Sequence, residues 1–229
     1  MAMKGKILYH GTDHTIEKPV LNGGKATNDY GMGFYCTEHY DLACEWAAKV
    51  KGRPAVVNKY ELQGKDLKVL DLSSTKYSIL NWMALLLKNR TFTLTSPISV
   101  EAKKYLLENF DVDVTRFDVI KGYRADDSYF SFAEDFLNNT ISVQKLAKAM
   151  KLGKLGIQIV LISDKAFSQL HFIESQDIDN LRYFSAYDKR DKKARVKYVE
   201  ERAHLQTDES ELYMIDILRG GIKNGDPRI

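Results

Sequence analysis

The sequence predicts an α+β fold, and three observations carry that expectation. Strand patterns come first, helices are inserted in the middle, strands return, and a helical tail follows, with no regular alternation of strand and helix. Helical periodicity is clear over Tyr77–Asn89 and Val100–Phe110, whereas Ile157-Gln-Ile-Val-Leu-Ile162 is a short continuous apolar run of the kind that forms a buried central strand. Apolar residues make up 44% and charged residues 28% of the 229 residues, enough to bury a full core.

In order along the chain, Lys6–His10 is an apolar-aromatic run stopped by Gly11 and Thr12, which marks a first strand. Pro19–Asp29 is rich in Gly, Asn and Lys without periodicity and is expected as a loop. Gly31-Met-Gly-Phe-Tyr-Cys-Thr37 opens a second strand with glycines. From Asp41 the spacing of Leu42, Glu45, Trp46 and Lys49 is helical, with Thr37 or Asp41 available as a cap. Val56–Leu62 and Leu67–Leu72 are strands, and Pro97 stands just ahead of the second helix. Val119–Arg124 is a strand entering Ala125-Asp-Asp-Ser128, followed by helices over Tyr129–Leu137 and Val143–Met150. After the run at 157–162 come a turn or two of helix over Lys165–Leu170 and a strand over His171–Glu174. The remainder is mostly helical, with Leu212, Ile215 and Leu218 as the apolar stripe of its last part. The expected organisation is one domain over residues 1–176, with a helical insertion at about 76–110, and a helical extension over 177–229.

Composition excludes several classes. The start lacks the apolar run of a signal peptide, and the most apolar stretch, Ile79–Leu87, is too short to cross a bilayer. Cys36 and Cys44 read as buried free thiols, consistent with a reducing cytoplasm. His14, His39 and Cys36 lack zinc spacing, so no metal site is expected. The net charge of +3 favours no partner, yet the run 189–197 carries six bases and one acid. Such a run can hold phosphates, and a solvated helix face explains it equally well.

Two short segments can carry chemistry. Tyr9-His10-Gly11-Thr12 places an imidazole beside a backbone that a flat ligand can approach closely. Gly31-Met-Gly33-Phe-Tyr35 lacks the third glycine of a phosphate-cradling loop. Its Tyr35 stands eleven residues before Trp46, and two aromatic faces held across a turn and a helix can sandwich a planar heterocycle.

These segments, in this order, resemble the diphtheria-toxin-like ADP-ribosyltransferases, of which the poly(ADP-ribose) polymerases are the best-known members. The late run from Gln158 stands where that family has Glu-Tyr-Ile-Val-Tyr, and Asp164-Lys-Ala-Phe-Ser-Gln-Leu-His-Phe172 resembles its connection into the last strand. More closely still, the chain resembles an uncharacterised bacterial family of this fold, marked by Gly122-Tyr-Arg-Ala-Asp-Asp-Ser-Tyr-Phe130 and Leu155-Gly-x-Gln158. The fold match covers about residues 5–62 and 118–175.

The resemblance implies two small sheets around an NAD⁺ cleft and mono-ADP-ribosyl transfer by a bacterial, toxin-like or regulatory effector inside the cell. NAD⁺ would be the co-substrate, and the acceptor a protein, a nucleic acid or a small molecule. It implies that His10 bonds the adenosine ribose, that the Gly11 backbone clasps the nicotinamide amide, with Thr12 and Gly33 alongside, and that Tyr35 and Trp46 flank the ring. The departure lies at Gln158, where the family has a glutamate. A glutamine accepts the same hydrogen bond but brings no charge, which disfavours chain elongation and leaves a non-catalytic binder and an NAD⁺ hydrolase as rival readings. Asp126 and Asp127 are the alternative acids, and Asp-Asp-Ser ahead of a helix is equally an N-cap.

Overall fold

A computed structural model describes residues 4–125, 127–152, 156–203 and 211–229. Two small sheets and a set of helices make up the mixed α+β architecture. Sheet one has the order β1(Lys6–Thr12)–β3(Val56–Leu62)–β7(Leu170–Asp177), all antiparallel. Sheet two has the order β2(Phe34–Cys36)–β6(Ile157–Leu161)–β5(Val119–Tyr123)–β4(Val69–Asp71), with only the β4–β5 pair parallel. The 157–161 run is therefore an interior strand, paired on both sides, as its unbroken apolar character requires.

Period-two alternation decides what each strand face covers. Leu8, Tyr60 and Leu62 from sheet one meet Phe34, Cys36, Val119, Ile159 and Leu161 from sheet two in a dry core between the sheets. The other face of sheet two turns Leu70, Ile120 and Val160 toward a larger core built by the helices. The outer face of sheet one is covered around Val57 by α1(Tyr40–Ala47), through Ala43 and Cys44. Both cysteines are free and buried, and burial pushes the Cys36 thiol well above its ordinary range.

The helical layer consists of α2(Ile79–Asn89), α3(Pro97–Phe110), α4(Asp127–Leu137), α5(Val143–Ala149) and the later α7(Asn180–Ala203) and α8(Met214–Gly220); the single turn α6(Asp164–Phe167) lies between β6 and β7. Ser78 caps α2 by accepting from the Leu80 N–H at 3.2 Å, while Asn81 reaches back to the Ser78 N–H at 2.9 Å. Ser78→Ala should therefore cost about 1 kcal/mol, a fall of about 2–4 °C in Tm for a chain of this size, read by thermal denaturation. An unchanged Tm would show that the Asn81 bond alone holds this helix start.

Two local expectations are revised. α1 has His39 at its N-cap with no side-chain cap bond; Thr37 Oγ1 only accepts the His39 N–H at 3.2 Å, and Asp41 lies inside the first turn. The last helix, docked against α3, fully buries Met214 and Ile217, which lie outside the expected stripe; of that stripe, Leu212 and Leu218 pack half-buried against the same core. Met214, Ile217 and Ile222 belong to the same buried cluster as α2–α5, so this part of the tail completes the helical core. The basic run lies on α7, where Arg190 pairs with Glu45, Lys192 with Asp188 and Arg195 with Asp191. Among the described residues, no helix is long and apolar enough to cross a membrane.

Candidate functional site

The two sheets are stitched together where Tyr9 and Thr37 exchange backbone hydrogen bonds of 2.8 and 2.9 Å. Beyond that bridge β1 and β2 part, and a cleft of about 520 Å³ opens there, within the range of small-molecule sites. Its walls come from β1 (His10, Gly11), β2 (Phe34, Tyr35), α1 (Trp46) and the residues just after it (Lys49), β6 (Gln158), the end of β5 (Arg124, Ala125) and the loop between β1 and β2.

His10 stacks on Phe34, with ring centroids 4.4 Å apart, and its Nδ1 lies 2.7 Å from the Tyr35 carbonyl. A carbonyl only accepts, so Nδ1 carries the proton and Nε2 of the neutral ring is left as an acceptor. Burial lowers the His10 pKa, the Tyr35 carbonyl opposes that shift, and nearby His14 adds to it. The unfolded chain then binds the proton more readily than the folded one. Stability on this account is intact above the ordinary value of 6.5 and is lost as the pH falls below it. His10→Gln should remove that loss, so its Tm should fall less than the wild-type Tm on acidification to about pH 5. Parallel melting curves for the two proteins would count against a neutral His10.

Gly11 is where α1 crosses β1. A Cβ there would fall onto the Ala43 carbonyl oxygen and within 2.8 Å of the Ala47 nitrogen. Its neighbour Thr12 does not reach the cleft wall; its hydroxyl donates to Asp13 at 3.3 Å. Gly33 does line the cleft, and a Cβ there would meet Val160 at 2.6 Å.

The Tyr35 hydroxyl donates to the Gly31 carbonyl at 2.7 Å and accepts the Tyr30 N–H at 3.0 Å. Its ring is thereby fixed, and burial raises its pKa far out of the physiological range. Trp46 presents its ring to the Arg124 guanidinium at 4.2 Å, a cation–π contact that covers one indole face. The Trp46 Nε1 is buried with no hydrogen-bond partner among the described residues.

Gln158 is 5% exposed on β6, opposite Gly122 in register. Its Nε2 donates to Asp29 Oδ2 at 3.4 Å, while its Oε1 is buried and unpartnered among the described residues. Asp29, itself 5% exposed, also accepts the Ala125 N–H at 2.9 Å and faces Arg90 at 3.4 Å. Tyr30 holds it there: the Tyr30 ring lies over Gly122, where a Cβ would collide with it, and its hydroxyl donates to the Tyr123 carbonyl at 2.5 Å.

The structure thus brings His10, Gly11, Gly33, Tyr35, Trp46 and Gln158 to one cleft and leaves Thr12 outside it. Asp126, Leu155 and His204 lie outside the described residues, as does the side chain of Asp127, which begins α4. Sequence reasoning missed Asp29 and Arg90. The available signal for Asp29 was its isolation: it is the one acid between Glu17 and Glu38, in a loop rich in Gly and Lys. Among the described residues the lining holds four cations, Lys18, Lys49, Arg90 and Arg124, against that single carboxylate. Such a wall suits an anionic ligand carrying phosphates.

The chain belongs to the DUF3990 family, described as proteins of unknown function, whose profile matches residues 6–172. No curated protein and no solved structure matches the chain.

Proposed function

We propose that this DUF3990 member is a mono-ADP-ribosyltransferase that uses NAD⁺ as donor and has an ADP-ribosyltransferase-like fold. The observation that carries the reading is the convergence of His10, Gly11, Tyr35, Trp46 and Gln158, from four separate elements, on one cleft. The dinucleotide fits the chemistry of that wall. A buried unpartnered acceptor, Gln158 Oε1, and a buried unpartnered donor, Trp46 Nε1, each leave one hydrogen bond for a ligand to make, and the four cations suit a pyrophosphate.

When bound, NAD⁺ supplies a ribose–nicotinamide bond whose cleavage yields free nicotinamide and an electrophilic ribose carbon. The protein's part is binding and orientation. His10 Nε2 accepts from a ribose hydroxyl, the Tyr35 ring lies against the nicotinamide, and the Gly11 backbone meets its amide. Gln158 Oε1 accepts from the ribose hydroxyl next to the reacting carbon, raising electron density there. The wall groups also exclude water, which strengthens each of these contacts. Acceptor attack on that carbon, with loss of the acceptor's proton, completes the transfer. The acceptor is a protein or a nucleic acid, and the 189–197 segment of α7 is the surface suited to acceptor phosphates.

Nicotinamide release by the purified protein, measured with and without cell lysate, tests this. Release that depends on lysate supports transfer. Release without lysate makes the protein an NAD⁺ hydrolase. Absence of both leaves an NAD⁺-binding module, the reading that the neutral side chain of Gln158 favours.

A further inference from the structure

We infer that Asp29 is the positioning residue of this cleft: it locks the Gln158 amide with its oxygen toward the ligand and supplies the fixed negative charge that Gln158 lacks. The inference rests on the ADP-ribosyl reading for its ligand, but its geometry stands apart from it. A glutamine amide has one donating and one accepting end of nearly the same shape, so the residue type alone leaves open which end meets a ligand. The partner decides. An ionised carboxylate only accepts, so the Gln158 end facing Asp29 Oδ2 at 3.4 Å is the NH₂, and Oε1 is turned away from it.

Asp29 is in turn held on every side. Its Oδ2 receives the Ala125 N–H at 2.9 Å, its Oδ1 faces Arg90 from the end of α2 at 3.4 Å, and its carbonyl receives the Asn89 amide at 3.3 Å. Next to it, Tyr30 is wedged over Gly122 and bonded to the Tyr123 carbonyl and the Tyr35 hydroxyl. Rotating the Gln158 amide would put its oxygen against this carboxylate, oxygen to oxygen.

The consequence is a site with a defined polarity. Gln158 Oε1 is buried, lacks a partner among the described residues, and is an acceptor only. It selects a ligand that brings a donor to that point, such as a hydroxyl. A glutamate in place of Gln158 would supply the same acceptor, but beside Asp29 it would set two carboxylates in contact inside the protein. In this chain the carboxylate belongs on the loop and the amide on β6.

This arrangement predicts a reciprocal swap. Gln158→Glu should lower Tm at neutral pH through the buried like charges. Asp29→Asn/Gln158→Glu should recover most of that loss, because the asparagine amide on the loop can donate to the new carboxylate on β6 while its oxygen still accepts the Ala125 N–H. Asp29→Asn alone lets the Gln158 amide turn its NH₂ to the cleft. It should lower kcat for nicotinamide release about tenfold and leave NAD⁺ affinity by calorimetry within about threefold, since a hydroxyl can accept as well as donate. Normal turnover by Asp29→Asn, or a double variant no more stable than Gln158→Glu, overturns the inference. The two readings fail separately. A wild-type protein that neither binds NAD⁺ nor releases nicotinamide sinks the ADP-ribosyl reading, while the Tm rescue still decides the Asp29–Gln158 pairing.

Discussion

Alanine in place of Gly11 is expected to cost about 1–3 kcal/mol of stability, the range for forcing extra atoms into a packed interior. The added methyl would coincide with the Ala43 carbonyl oxygen and press on the Ala43 carbon and the Ala47 nitrogen, all backbone of α1. A flexible side chain can rotate away from such a contact; a helix backbone has to move as a body. Its movement has a functional consequence, because α1 carries Trp46 to the cleft wall and leads directly into Lys49 there. Gly11→Ala should therefore lower Tm by several degrees and, on the proposed reading, also weaken NAD⁺ binding measured well below Tm. The resemblance assigns Gly11 a role through its own backbone against the nicotinamide amide; the packing supplies a second reason for glycine at this position. A Gly11→Ala protein with wild-type Tm but poor NAD⁺ binding would leave only the backbone role standing.

The strand residues of the candidate site were legible because a strand fixes its side chains by parity. Leu8 in the core and His10 at the cleft follow from alternation along β1, and Gln158 shares a face with Val160 in the same way. The 157–161 run could be read as central because an interior strand covered on both faces has no reason to alternate. Asp29 was not legible in this sense. It sits in an aperiodic loop, and its place is set by Tyr30, which bonds the carbonyl of Tyr123, a partner 93 residues away in sequence. Only the absence of a side chain at Gly122 makes room for that wedge. The start of α1 was misread, and the buried face of the last helix only partly read, for a related reason. Local cap chemistry named Thr37 or Asp41, and local periodicity named Leu212, Ile215 and Leu218, whereas tertiary packing settled both.

Tyr35 and Trp46 should separate when substituted, because the structure gives them different second duties. Tyr35→Phe keeps the ring but loses two hydrogen bonds, to the Gly31 carbonyl and from the Tyr30 N–H. It should cost about 1–3 kcal/mol of stability for the pair while, on the proposed reading, leaving NAD⁺ affinity nearly unchanged. Tyr35→Ala removes the ring as well and should weaken NAD⁺ binding by about 1–3 kcal/mol on top of that loss. Trp46 makes no hydrogen bond among the described residues through its Nε1, and one of its faces is already covered by Arg124. Trp46→Phe keeps a ring beneath Arg124 but deletes the indole N–H, the donor there left for a ligand. On the proposed reading this variant should bind NAD⁺ about tenfold more weakly, the loss of one ligand hydrogen bond. Trp46→Ala, which also uncouples Arg124, should bind it more weakly still. Calorimetry with NAD⁺ reads all four variants. If Tyr35→Ala and Trp46→Ala both bind NAD⁺ as the wild type does, the cleft between β1 and β2 is not where the dinucleotide sits.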